Sequence, residues 1–220
     1  NIFAKGSKRF ISCLKYEVRG KELWIEVKPP NNTSVGGKNR IDLCVDFCRG
    51  KDLFVVINGS GLCKSVPPFE NASITINGSG DVALSDVGEL KATVNGSGDM
   101  EVQNVTNSAF LTVNGSGDMD IGSAKNVKMS VNGAGDLKVG KASGELYIKV
   151  MGAADVSAAG NVDKLYCKIS GSADIKCSEL TVGEAEIYAD NSASIHIGHI
   201  VKSSIEKLGV MSELKVDKRG

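Results

Sequence analysis

The stretch NGSGDVALSDVGELKATVNGSGD, residues 77–99, carries the fold in miniature. It opens and closes on the same five letters, and those letters recur along the chain. They stand as NGSGL at 58–62, NGSGD at 77–81, 95–99 and 114–118, NGAGD at 132–136 and MGAAD at 151–155, with SGSAD at 170–174 and DNSAS at 190–194 as fading copies. The steps between copies are 19, 18, 19, 18, 19, 19 and 20 residues. A fixed period of this length marks a solenoid, in which each repeat stacks only on its neighbours.

Within one repeat the turn leads into a short alternating strand with Val82 and Leu84 on one face. A corner near Val87-Gly88 follows, then a second alternating strand carrying Leu90, Ala92 and Val94. Alternation over short runs rich in Val, Ile and Thr is strand behaviour. Laid over one another, the repeats give apolar columns. Two follow the turn: Val82, Met100, Met119, Leu137, Val156, Ile175, Ile195, and Leu84, Val102, Ile121, Val139, Ala158, Cys177, Ile197. Three more belong to the return strand, beginning at Leu90, Ala92 and Val94, and a short third side holds Val87, Val105, Ala124 and Ala142. Such columns predict a narrow stacked core inside an all-β, single-domain parallel β-helix of 18–19 residues per coil, right-handed by analogy of fold. The glycines supply abrupt corners, and stacked Asn side chains can pair along the axis.

Residues 1–57 lack the period and read as an N-terminal cap with irregular first coils of the same domain, Trp24 covering the end of the core. Residues 58–216 read as the regular solenoid and 217–220 as a tail. Solenoid ends need such capping.

Composition narrows the function classes. The chain has 26 basic and 26 acidic side chains in 220 residues, so no field suited to nucleic acid is expected. No run approaches 18 apolar residues, and no segment is expected to span a bilayer. With only two histidines, His196 and His199, no metal site and no cofactor is expected. The six cysteines (13, 44, 48, 63, 167, 177) are too sparse for a disulfide scaffold. Cys44 and Cys48 read as structural, without a second pair at zinc-like spacing. Cys167 and Cys177 fall in inward columns of one rung, as two buried thiols or as a disulfide across the core.

Three surface features are candidates for function. The first is the column Asp81, Asp99, Asp118, Asp136, Asp155, Asp174. Stacked carboxylates repel unless they accept backbone N–H bonds or hold cations. Calcium-binding nonapeptide repeats need a shorter period and a second acidic position, so turn-capping is the favoured reading. The second is an acidic face of Asp99, Glu101, Asp118 and Asp120, the carboxylate pair a polysaccharide-active enzyme needs. No long loops wall it in, and an unwalled face positions substrate poorly; no catalytic residue is assigned. The third lies on the return strand, where Tyr147, Tyr166 and Tyr188 interleave with Lys149 and Lys168 and Phe110 stands at the edge. Exposed aromatics on a flat sheet stack on sugar rings or anchor a partner, or they serve cross-strand packing.

The NGSGD and NGAGD turns, followed by short V-x-L or M-x-V strands and a return strand ending in V-N-G, resemble the auto-transporter adhesin head domain (head GIN) family of Bacteroidetes envelope proteins. The similarity runs over roughly residues 8–216 and is strongest at 53–155. The resemblance implies a parallel β-helix-like solenoid in an exported protein of the cell envelope, outer-membrane-associated, periplasmic or at the surface. It implies a signal peptide and often a lipoprotein anchor, which here would lie upstream of Asn1, because the first cysteine, Cys13, sits inside an apparent strand. It carries over no ligand and no catalytic residue. The expectation is therefore a non-enzymatic, adhesin-like module presenting a rigid face to a glycan or protein. The alternatives are a self-assembling scaffold and, third, a polysaccharide-active enzyme.

Overall fold

The computed structural model describes residues 2–6, 8–19, 22–27, 41–45, 50–65 and 68–220. The chain divides into two compact units, Asn1–Cys48 and Arg49–Gly220. In the first, β1 (Ile2–Gly6) pairs antiparallel with β4 (Ile41–Val45), and β2 (Leu14–Arg19) pairs antiparallel with β3 (Glu22–Val27). A four-residue helix, α1 (Lys8–Ile11), lies between β1 and β2. Trp24 is 52% exposed, with the Arg19 guanidinium 4.8 Å from its ring centroid. The loop at 29–39 and Cys48 lie outside the described residues, as does the Cys44 side chain.

The second unit is an all-β parallel solenoid of about nine turns. Its strands are β5 (Gly50–Gly59), β6 (Leu62–Ser65), β7 (Phe69–Gly78), β8 (Asp81–Gly96), β9 (Met100–Gly115), β10 (Met119–Gly133), β11 (Leu137–Gly152), β12 (Asp155–Gly171), β13 (Asp174–Asn191), β14 (Ser194–Leu208) and β15 (Glu213–Arg219). Each pairs in parallel with the strand of the next coil, so the register joins equivalent repeat positions: Val82 with Met100, Met100 with Met119, Met119 with Leu137. The parallel register starts at β5, where Gly50–Gly59 aligns with Phe69–Gly78.

Every apolar column read from the repeats is buried. Along one coil the buried positions are Val82, Leu84, Val87, Leu90, Ala92, Val94 and Gly98. The step of two holds along the two long sides and widens to three on either side of Val87, which makes the corners. Longer coils take their extra residue at a corner: Val105 to Ala109 and Ala142 to Leu146 span four where Val87 to Leu90 spans three. The register shifts between strands fall at these same corners, as expected of bulges that absorb one residue and leave the flanking pleat intact. Cys167 and Cys177 are buried free thiols, and Cys63 is also free. Burial pushes the Cys177 thiol up to about 12 and Cys167 higher still, so both behave as small apolar side chains.

The turns are built from stacked backbone. Gly78, Gly96, Gly115, Gly133, Gly152 and Gly171 all have positive φ, and from Gly78 to Gly152 each carbonyl accepts the N–H that follows the glycine one coil on, as in Ser97 N to Gly78 O at 2.8 Å and Ser116 N to Gly96 O at 2.8 Å. In the fading copy Asn191 takes this place with φ of 70°, a conformation Asn tolerates better than other side chains. Beside the glycines runs an amide ladder. Asn77, Asn95 and Asn114 each donate Nδ2 to the Oδ1 of the Asn one coil earlier, at 2.8–2.9 Å.

Toward β14 the inward columns turn polar. Ala185 is followed by Ser204, and Ile187 by Glu206. Glu206 Oε1 accepts from Arg219 Nη1 at 2.8 Å and Ser204 Oγ at 2.6 Å. Partial burial works to raise the Glu206 carboxyl, but the bonds from Arg219 and Ser204 hold it below the ordinary range. Asp217 is also held low, by His196 Nε2 at 2.9 Å and then by Lys215 Nζ at 3.2 Å. A carboxylate whose folded pKa is depressed contributes stability above its unfolded pKa and loses it as the pH falls through the folded value. Acidification below the usual carboxylate range is therefore expected to loosen β15 first. Hydrogen exchange of 213–219 at neutral and acidic pH tests this. Unchanged protection of β15 relative to β11 would show that these contacts do not hold the last strand.

Candidate functional site

The two long sides of the coil carry opposite charge, although the chain as a whole has none. The side after the turn forms a shallow furrow lined by Asp81, Asp99, Glu101, Asp118, Asp120, Asp136 and Asp155 together with Lys64, Lys138 and Lys176. Asp99, Glu101, Asp118 and Asp120 thus stand together, Asp120 in register with Glu101. Their chemistry is largely committed. Oδ1 of Asp81, Asp99, Asp118 and Asp136 each accepts the backbone N–H of the Asp one coil on, at 2.9–3.2 Å. Asp120 pairs with Lys138 at 2.9 Å, and Asp155 pairs with Lys176. From Asp81 to Asp136 the column is a run of turn caps that also offsets its own repulsion, because each of these carboxylates gains a donor. No polar or charged side chain is buried, and no group of three His, Cys, Asp or Glu is placed to hold a metal ion, among the described residues.

The return strand presents a different surface. Its outward positions form two straight columns in register. One runs Lys91, Phe110, Lys128, Tyr147, Tyr166, Glu186, and the other Thr93, Thr112, Ser130, Lys149, Lys168, Tyr188, Lys207. The β alternation that buries Leu146, Ile148 and Val150 points Tyr147 and Lys149 outward, and the parallel register sets each on its equivalent in the next coil. Tyr147 and Tyr166 stack with centroids 4.7 Å apart and planes 6° from parallel; Tyr166 meets Tyr188 at 5.7 Å and 40°. Lys128 Nζ lies 5.2 Å from the Tyr147 centroid and Lys207 Nζ 5.7 Å from that of Tyr188. Three rings therefore form a ladder with an ammonium at each end, both within cation–π range. Lys149 and Lys168 are register partners beside it. Phe110, 49% exposed, is separated from Tyr147 by Lys128.

The structure thus gathers Tyr147, Tyr166, Tyr188, Lys149 and Lys168 on one face and leaves Phe110 two coils from the nearest tyrosine. Lys128 and Lys207 complete the ladder. The sequence signal for them was their place in the same two columns, Lys128 between Phe110 and Tyr147 and Lys207 one coil past Tyr188. Packing between its neighbours, then the adjoining phenols, Glu186 and Cys167, hold Tyr166 above the ordinary phenol range, so it remains a hydroxyl donor at neutral pH. Among the described residues no helix is long and apolar enough to cross a membrane, which leaves strand-crossing barrels unaddressed.

Comparison with known proteins gives one family. Residues 1–157 and 104–209 match the model described as "Putative auto-transporter adhesin, head GIN domain". No curated protein and no solved structure matches the chain.

Proposed function

From the premise that this chain belongs to the auto-transporter adhesin head GIN domain family, we propose that it is a non-enzymatic recognition module of the cell envelope whose return-strand face engages a glycan or protein partner. Membership implies an extracytoplasmic, envelope location. The observation that carries the recognition reading is the ladder of Tyr147, Tyr166 and Tyr188 flanked by lysines on an open, flat sheet. A parallel solenoid holds such groups in fixed register at no further ordering cost, which is what a binding face needs. Export through a signal peptide and anchoring through an upstream lipid belong to the same proposal.

Two other readings are less well supported. The furrow acids are engaged by backbone and lysine partners, and among the described residues no loop walls them in, so positioning for catalysis is poor. End-to-end pairing is opposed by charge in the line of the core column, at Glu206 and Arg219, a feature that discourages strand addition.

The test is binding of purified protein to a broad array of host and bacterial glycans and envelope proteins, beside a Tyr147→Ala/Tyr166→Ala/Tyr188→Ala variant checked for folding. The native protein is expected to bind a defined subset and the folded variant to lose about tenfold or more in affinity, the scale of one well-packed aromatic anchor. Binding retained in the triple variant would move the site off this face.

A further inference from the structure

We infer that the tyrosine–lysine face is built for an anionic polysaccharide, gripped through its carboxylate or sulfate groups by phenol hydroxyls and lysine ammoniums; this rests on the recognition reading above and names its ligand class. Neutral sugars bind aromatic residues by lying flat on an exposed ring face. Here those faces are taken. Tyr147 has Lys128 over one face and Tyr166 stacked on the other, and Tyr166 and Tyr188 are closed in by each other and by Lys207. What the ladder turns to solvent is its ring edges and hydroxyls. Ring edges carry the positive end of the aromatic quadrupole, and a phenol O–H donates. The surface offers donors and positive potential, which suits an acceptor-only anion.

Charge agrees. The two columns hold five lysines, at 91, 128, 149, 168 and 207, against the single acid Glu186. Among the described residues none of Lys128, Lys149, Lys168 or Lys207 pairs with an acid, whereas two of the three furrow lysines, Lys138 and Lys176, do. Lysines left without a partner in one region of a neutral protein form a local positive field that gathers anions.

Periodicity argues for a polysaccharide over an acidic protein. Lys149 and Lys168, like Tyr147 and Tyr166, occupy successive coils of one column, so donors recur every ~4.8 Å, the parallel strand spacing. A linear polymer with an acidic group in each repeat unit meets such an array along its length. A protein partner draws its affinity from a dry apolar centre, and the covered ring faces leave little of one.

The experiment measures affinity of the intact protein for polygalacturonate, dextran sulfate, unmodified dextran and poly-glutamate, at about 0.05 M and about 0.5 M salt, conditions between which screening of exposed charges differs severalfold in range. The expected result is saturable binding of the two acidic polysaccharides, weakened about tenfold or more at high salt, with dextran and poly-glutamate far weaker. Lys149→Gln/Lys168→Gln is expected to lose about tenfold, equivalent to roughly 1.4 kcal/mol. Tyr147→Phe/Tyr166→Phe, which keeps the stack and removes only the hydroxyls, is expected to lose severalfold. The furrow variant Lys138→Gln/Lys176→Gln is expected to bind as the native protein does.

Dextran binding that survives Tyr→Phe would overturn the anionic reading and leave the recognition face standing. Preference for poly-glutamate would overturn it in favour of an acidic protein. Equal losses in the furrow variant would overturn it as mere net-charge attraction. Silence of all four probes overturns it too, and silence across the wider array then removes the recognition face as well.

Discussion

Replacing Gly115 with alanine is expected to destabilise the solenoid by at least about 3 kcal/mol, combining a strained backbone with an overpacked contact. Gly115 has φ of +143°, where L side chains are rarely found, and a Cβ there would sit 2.2 Å from Gly96 O. That oxygen accepts the Ser116 N–H at 2.8 Å, so the methyl group would displace the acceptor that joins two coils. Neither atom belongs to a side chain that could swing aside. The strain also has nowhere to dissipate along the axis, because a Cβ on Gly133 would meet Gly115 O at the same 2.2 Å. Urea unfolding of Gly115→Ala beside Ser116→Ala measures the effect. The serine is exposed, and Ala134 stands in its place one coil on, so that control is expected to stay within about 0.5 kcal/mol of native. Equal midpoints for the two variants would mean that the turn column relaxes freely.

Ile148→Ala is the second large effect, expected near 3 kcal/mol within the range of about 2–5 kcal/mol for emptying an aliphatic core site. Ile148 is fully buried between Met129 and Cys167, its register partners on either side. Met129 is long and flexible enough to lean into the gap, whereas Cys167 is too short to do so, which places the cost near the middle of the range. Each coil of a solenoid is coupled chiefly to its neighbours. Hydrogen exchange should therefore speed up first in β10–β12 and only later in β7. Uniform loss of protection would instead show that the stack unfolds as one unit.

The long sides of the coil were legible because alternation along a strand and repetition along the chain constrain the same residues twice. Val82, Leu111 and Ile148 could only face inward. The turn interior was harder to read. Gly98, Gly117, Gly135, Ala154 and Ala173 are buried as well, yet small residues in a glycine-rich loop look like turn chemistry and not like lining of a core. Glu206 was opaque for the opposite reason: a charge in an inward column reads as decay of the repeat until Arg219, far along the chain, is seen beside it. For the candidate face, the gathering of three tyrosines and two lysines followed from column arithmetic. The direction of the rings did not, because rotamers follow from packing between coils, and ring direction decides whether sugar meets an aromatic plane or a hydroxyl edge.

The corners that absorb the odd residue have an evolutionary consequence. Insertion or deletion of one codon between Val105 and Ala109, or between Ala142 and Leu146, alters coil length yet leaves both long sides in phase. Lineages of such a repeat can miscount without scrambling the surface lettering on either flank. Duplicated coils can then diverge in what they display while their joints stay interchangeable, and the same corners offer natural splice points for grafting new segments onto the scaffold.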